Sequence, residues 1–200
     1  MESERPVPPE LTVEAAVALR DALDAMSIPF VFIGATAVAA YGHIRTTFDV
    51  DALAVLEPSA FRAFLQKAAH HGVKPRIADA EAFAAQHRVL LLVHEPTGVT
   101  TDMALALLPF EHRVIERARV IELRGVPLRV PLAEDLIVMK ATAHRLKDLD
   151  DINELIALNP NLDRKHVLDE LRPFADALDS PNLVEEIERM LQRGGRTQTG

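Results

Sequence analysis

From Leu11 to Met26 the apolar residues Leu11, Ala15, Val17, Leu19, Leu23 and Met26 fall mainly on one side of a 3.6-residue period, which predicts an amphipathic helix. Thr12 is placed to cap it, with Glu14 in the first turn and Ile28-Pro29 as the stop. Phe30-Val31-Phe32-Ile33 is a short unbroken apolar run, the pattern of a buried strand. After Gly34-Ala35-Thr36, small residues from Ala37 to Tyr41 predict a short helix that Gly42 ends. Phe48 to Leu56 alternates, with Phe48, Val50 and Ala52 set against Asp49, Asp51 and Leu53, and reads as a second strand.

Helices are predicted over Pro58–His70 and Ala78–Gln86. Arg88–Val93 and Val99–Leu107 flank the turn sequence Glu95-Pro96-Thr97-Gly98 and form an expected antiparallel hairpin. Phe110–Glu116 is a short helix, and Val120–Leu123 with Val126–Val130 around Arg124-Gly125 suggest a second hairpin. From Pro131 onward the pattern is helical only: Pro131–Leu146, Lys147–Leu158, Leu162–Leu178 and Asn182–Leu191. The expected fold class is therefore α+β, a mixed or antiparallel sheet flanked by helices, followed by a C-terminal helical bundle. The expected division is a core over residues 1–130, a helical region over 131–192 and a disordered tail over 193–200.

Composition narrows the function. Two hundred residues, 48% hydrophobic and 26% charged, describe an ordinary globular chain. The net charge of −8 argues against gripping nucleic acid by bulk charge. The absence of cysteine removes disulfides, thiolate chemistry and Cys-ligated metals. Aromatics at 4% with no tryptophan give no stacking platform. The acidic, proline-bearing Met1–Glu10 does not look like a signal peptide, and no apolar run approaches membrane-spanning length, so a cytoplasmic protein without membrane association is expected. The histidines lack zinc-helix spacing, no serine sits in a nucleophile-elbow context, and neither a Walker loop nor a dinucleotide fingerprint occurs.

The chemistry concentrates in FVFIGATAVAAYGHIRTTFDVDAL, residues 30–53. A strand delivers the chain to Gly34, where small residues let backbone N–H groups approach a phosphate. Asp49 and Asp51, two apart on a strand, share one face, and carboxylates so close call for a positive partner such as a divalent metal. Asp102 is a third acid, on a strand among the apolar residues Val99, Met103, Leu105 and Leu107, where it is costly unless paired or metal-bound.

These parts in this order resemble the minimal nucleotidyltransferases of the DNA polymerase beta superfamily, especially the AbiEii-like proteins of bacterial toxin–antitoxin systems. The matching segments are Gly34-Ala35, then Arg45-Thr46-Thr47-Phe48-Asp49-Val50-Asp51-Ala52-Leu53, then Thr101-Asp102-Met103. Pro131–Lys140 and Arg145–Ile152 continue the likeness, which spans about residues 11–160. The resemblance implies that Asp49, Asp51 and Asp102 are the catalytic and metal-binding residues, holding Mg²⁺ or Mn²⁺, with Asp102 activating the acceptor hydroxyl. It further implies a nucleotide site of Gly34, Ala35, Thr36, Arg45, Lys140 and Asp148, with an NTP as substrate.

The implied acceptor is an RNA end (tRNA included), a protein or a small molecule such as an antibiotic. A cognate antitoxin is the implied protein partner if the chain is a toxin. One position departs from the pattern: Ala35 stands where relatives carry glycine or serine, so a hydroxyl is lost unless Thr36 supplies it. That leaves two readings, an enzyme with a variant loop or a non-catalytic binding protein acting as antitoxin or regulator. Arg45 is either a loop cation or a partner of an aspartate or phosphate, and Lys140 either snorkels beside the buried stripe or reaches a phosphate. The apolar C-terminal helices suit a dimer contact or a core equally. Residues 112–147 hold eight Lys or Arg against four acids, a basic stretch beside an acidic site.

Overall fold

The computed structural model describes residues 9–43 and 49–194. They divide into two compact units, one of residues 9–40 and 49–130, the other of residues 41–43 and 131–194.

The first unit is built on a five-stranded sheet in the order β1-β2-β5-β4-β3. Its strands are β1 (Phe30–Ile33), β2 (Asp49–Ala54), β3 (Val73–Pro75), β4 (Val89–His94) and β5 (Val99–Leu105). β2 and β5 run parallel and the other pairs antiparallel, so the sheet is mixed. The expected hairpin is present as β4 and β5, closed at Gly98 with φ +72°. β3 has no counterpart in the sequence reading. It is three residues long, with only Val73 buried, too short to show a period.

One face of the sheet is closed. Val50 and Ala52 of β2, Leu90 and Leu92 of β4, and Val99, Thr101 and Met103 of β5 are almost wholly buried. α1 (Pro9–Asp24) covers this face through Ala15, Ala16, Leu19, Ala22 and Leu23, and α3 (Phe61–Ala69) packs beside it through Phe61, Phe64 and Ala68. Each large side chain so buried contributes about 1.5–3 kcal/mol. His94 lies on the same face; burial lowers its pKa while the nearby Glu14 of α1 opposes this. The described helix already includes Pro9, so Thr12 is a buried interior residue and not the cap that its sequence position suggests.

α2 (Gly34–Ala40) begins three residues before the expected Ala37, directly at the end of β1. α4 (Ala80–His87) and α5 (Pro109–Glu116) follow the sequence reading closely. β6 (Arg119–Leu123) and β7 (Val126–Val130) form the second expected hairpin, as a separate two-stranded sheet.

The second unit is helical: α6 (Ala133–Ala143), α7 (Leu146–Leu158), α8 (Arg164–Ala177) and α9 (Asn182–Gly194). α6 stops before the expected Leu146 because His144 takes a left-handed cap conformation, φ 49°. α9 turns Leu183, Ile187 and Leu191 inward at a spacing of four. It includes Arg193 and Gly194, the first two residues of the tail expected from the sequence to be disordered; residues 195–200 lie outside the described residues. Among the described residues no helix is long and apolar enough to cross a membrane.

Candidate active site

On β2, Val50 is fully buried while Asp49 and Asp51 are partly exposed, so both carboxylates leave the sheet on the face away from α1. β5 alternates in the same sense: Thr101 and Met103 are buried, Thr100 and Asp102 partly exposed. The parallel register sets Asp49 opposite Thr100 and Asp51 opposite Asp102. Neighbouring strands lie about 4.8 Å apart, so the acids of β2 and β5 crowd one patch. The apolar neighbours of Asp102 belong to the opposite face. Its cost is therefore that of a half-buried acid beside other acids, not of an acid sunk in a core.

On the other side of β2, Ile33 pairs with Asp51, and the chain turns into α2 at the next residue. Gly34 makes this turn at φ +61°, and a Cβ there would lie 2.0 Å from Asp51 Oδ2. Glycine is needed twice over, for the left-handed backbone and for the close approach of a carboxylate. Ala35 and Thr36 follow with buried side chains, and the Thr36 hydroxyl has no hydrogen-bond partner among the described residues. Arg45 lies outside the described residues.

Arg76 joins this patch without having been singled out in the sequence. It follows β3, its backbone N–H donates to Leu91 O at 3.0 Å, and its Nη2 donates to Asp102 Oδ1 at 2.6 Å. Burial pushes the Asp102 carboxyl above the usual carboxylate range. The Arg76 charge pulls it down and the charge of Asp49 pushes it up.

Lys140 and Asp148 lie in the second unit, where they form a closed cluster with Asp151. Lys140 Nζ is 2.6 Å from Asp151 Oδ2 and 3.4 Å from Asp148 Oδ1, and all three residues are buried. Arg145 Nε reaches Asp148 Oδ2 at 2.6 Å, and His43 stands 4.0 Å from Asp151 and 3.6 Å from Glu154. Burial pushes the Asp148 carboxyl up, but hydrogen bonds from Arg145 and the charge of Lys140 outweigh it and hold it below the ordinary range. Asp151 has no separate signal in the sequence, where it is one more acid of the Arg145–Ile152 stretch.

A hard cation suits the first patch. Its donors are carboxylate oxygens alone, with no nitrogen or sulfur ligand. Among the described residues no group of three or more His, Asp or Glu side chains is placed to hold a metal ion by itself. Mg²⁺ does not need one: it is usually held by one or two carboxylates, with substrate phosphates and water supplying the rest.

The fold has solved counterparts. One is an antigenic nucleotidyltransferase-like protein from Paracoccidioides brasiliensis, 15% identical, with 90% of this chain and 95% of that one covered at a TM-score of 0.53. Another is the lincosamide antibiotic adenylyltransferase LnuA in its lincomycin-bound form, 15% identical, with 77% and 99% covered at a TM-score of 0.53. At such identity the likeness is one of fold. The chain matches no curated protein in sequence. Residues 10–179, spanning the sheet with its aspartates and most of the helical unit, match the family described as nucleotidyltransferase of unknown function (DUF6036), and the chain belongs to that family.

Proposed function

We propose that this chain is a divalent-cation-dependent nucleotidyltransferase that moves an NMP from an NTP to a hydroxyl acceptor. The observation that carries the reading is the register of β2 and β5, which sets Asp51 beside Asp102 with Asp49 on the same face and Gly34 against Asp51. Asp49, Asp51 and Asp102 would hold the cation, Mg²⁺ or Mn²⁺. Bound there, one or two such ions would neutralise the triphosphate and stabilise the leaving pyrophosphate.

The chain's own contribution is positioning and proton transfer. Gly34 lets the backbone at the start of α2 come close to a phosphate. Asp102, whose proton affinity burial raises, takes the proton of the acceptor hydroxyl. The acceptor oxygen bonds to the α-phosphorus, the bond from that phosphorus to the bridging oxygen of the β-phosphate breaks, and pyrophosphate leaves. Lys140 and Asp148 are positioning residues within the helical unit, through the cluster they form with Asp151.

The acceptor is an RNA end, a protein or a small molecule, and an AbiEii-like toxin paired with an antitoxin is the biological setting we favour. LnuA, a lincosamide adenylyltransferase of this fold, keeps an antibiotic acceptor in view. A second reading, a non-catalytic binding protein of the same fold, draws on Ala35, which carries no hydroxyl at the turn.

The test is label transfer from α-³²P NTPs to total RNA, to protein and to an antibiotic panel. The wild type should label one pool, and Asp51→Asn should lower the rate at least about 100-fold. Equal labelling by Asp51→Asn contradicts the mechanism. No labelling of any pool, with nucleotide binding intact, favours the second reading.

A further inference from the structure

Arg76 and Asp102 form a surface ion pair with a defined place in the sheet. Three registers align it. Arg76 bonds to Leu91 through its backbone, Leu91 pairs with Asp102, and Asp102 pairs with Asp51. Arg76, Leu91, Asp102 and Asp51 thus form one row across the sheet, and paired residues of neighbouring strands share a face. The guanidinium spans a whole strand, about 9.6 Å of backbone separation, to reach the acid. Few other side chains have that reach. It ends at 2.6 Å on Asp102, and the other N–H groups of the guanidinium find no acceptor among the described residues. The contact faces solvent, with 32% of the Arg76 side chain and 43% of the Asp102 side chain exposed, so water and ions from solution reach the shared carboxylate.

Resting on the metal-site reading above, we propose that Arg76 is a displaceable counter-ion: it holds Asp102 in the site while no cation is bound, and it competes with the divalent cation for that carboxylate. A guanidinium and a divalent ion both need the Asp102 oxygens, and a positive charge beside the site repels a second one. Arg76 is therefore a positioning residue that sets how tightly the bare site takes a cation.

The test is calorimetric titration of Mn²⁺, without nucleotide and at fixed neutral pH, into the wild type, Arg76→Gln, Arg76→Lys, Asp51→Asn and the Arg76→Gln/Asp51→Asn double variant. Arg76→Gln should bind Mn²⁺ about tenfold more tightly than the wild type, since one competing charge is gone. Arg76→Lys, which keeps the charge, should stay near the wild-type affinity. The double variant should lose the gain. A purely structural ion pair predicts weaker or unchanged binding in Arg76→Gln, and that result overturns the inference while Asp51-dependent binding leaves the metal site standing. A gain that persists without Asp51 also overturns it. Mn²⁺ binding by none of these proteins removes the metal-site reading and the inference with it. A second measurement needs no variant that must fold: in the wild type the Arg76 Nε–H resonance should move on adding Mg²⁺, and an unmoved resonance counts against displacement.

Discussion

Gly34 carries more of the site than its size suggests. A methyl group there would stand 2.0 Å from Asp51 Oδ2, and the backbone at φ +61° already disfavours a side chain. Gly34→Ala should cost about 1–3 kcal/mol in urea unfolding and weaken nucleotide binding by pushing Asp51 aside. A variant with wild-type binding would show that Asp51 has room to move. Asp148 makes a second residue-scale prediction. Its folded pKa lies below the unfolded value, so its stabilising contribution is complete above about pH 4 and is lost as the pH falls through the folded pKa. Arg145→Gln should shrink that acid-dependent loss, read from unfolding midpoints across acidic pH. These residues were legible to different degrees. The Asp-x-Asp pair announces itself by the two-residue period, and Gly34 by following an apolar run. Arg76 gives no local signal, because its role depends on which strand lies two places from β5.

At the level of elements, the turn from α6 into α7 builds a buried ion cluster. The sequence shows Lys140 bordering an apolar stripe. It does not show that the left-handed cap at His144 brings α7 back so that Asp148 and Asp151 face the lysine. Lys140→Met should destabilise by about 3–5 kcal/mol, since it removes the cation nearest the buried Asp151 carboxylate while Arg145 still holds Asp148. Lys140→Met combined with Asp151→Asn should recover part of that loss in the same denaturation series. A cost under about 1 kcal/mol for Lys140→Met would mean that the cluster opens to water. β3 was missed for the opposite reason: three residues, one of them Pro75, carry no period, and the strand exists through its pairing with β4. The parallel pairing of β2 and β5, which completes the aspartate patch, is likewise a property of the sheet order and not of either strand alone.

For the molecule as a whole, the net charge of −8 includes three aspartates whose repulsion a divalent ion would offset. Binding to the folded chain alone then stabilises it. At a hundredfold excess over Kd, Mg²⁺ with ATP should add about 2.7 kcal/mol to unfolding, and ATP with EDTA much less. The fold class and the order of elements were legible because each long element carries its own period. The acceptor was not, because it depends on shape and not on any pattern along the chain. The central claim is that Asp49, Asp51 and Asp102 form one cation-dependent nucleotide site, and it can be tested without knowing the acceptor. The direct measurement is calorimetric titration of ATP with Mg²⁺ and with EDTA, into the wild type and Asp51→Asn. Binding that needs Mg²⁺ and weakens at least about tenfold in Asp51→Asn is the predicted result. Equal affinity with EDTA, or in Asp51→Asn, would contradict it.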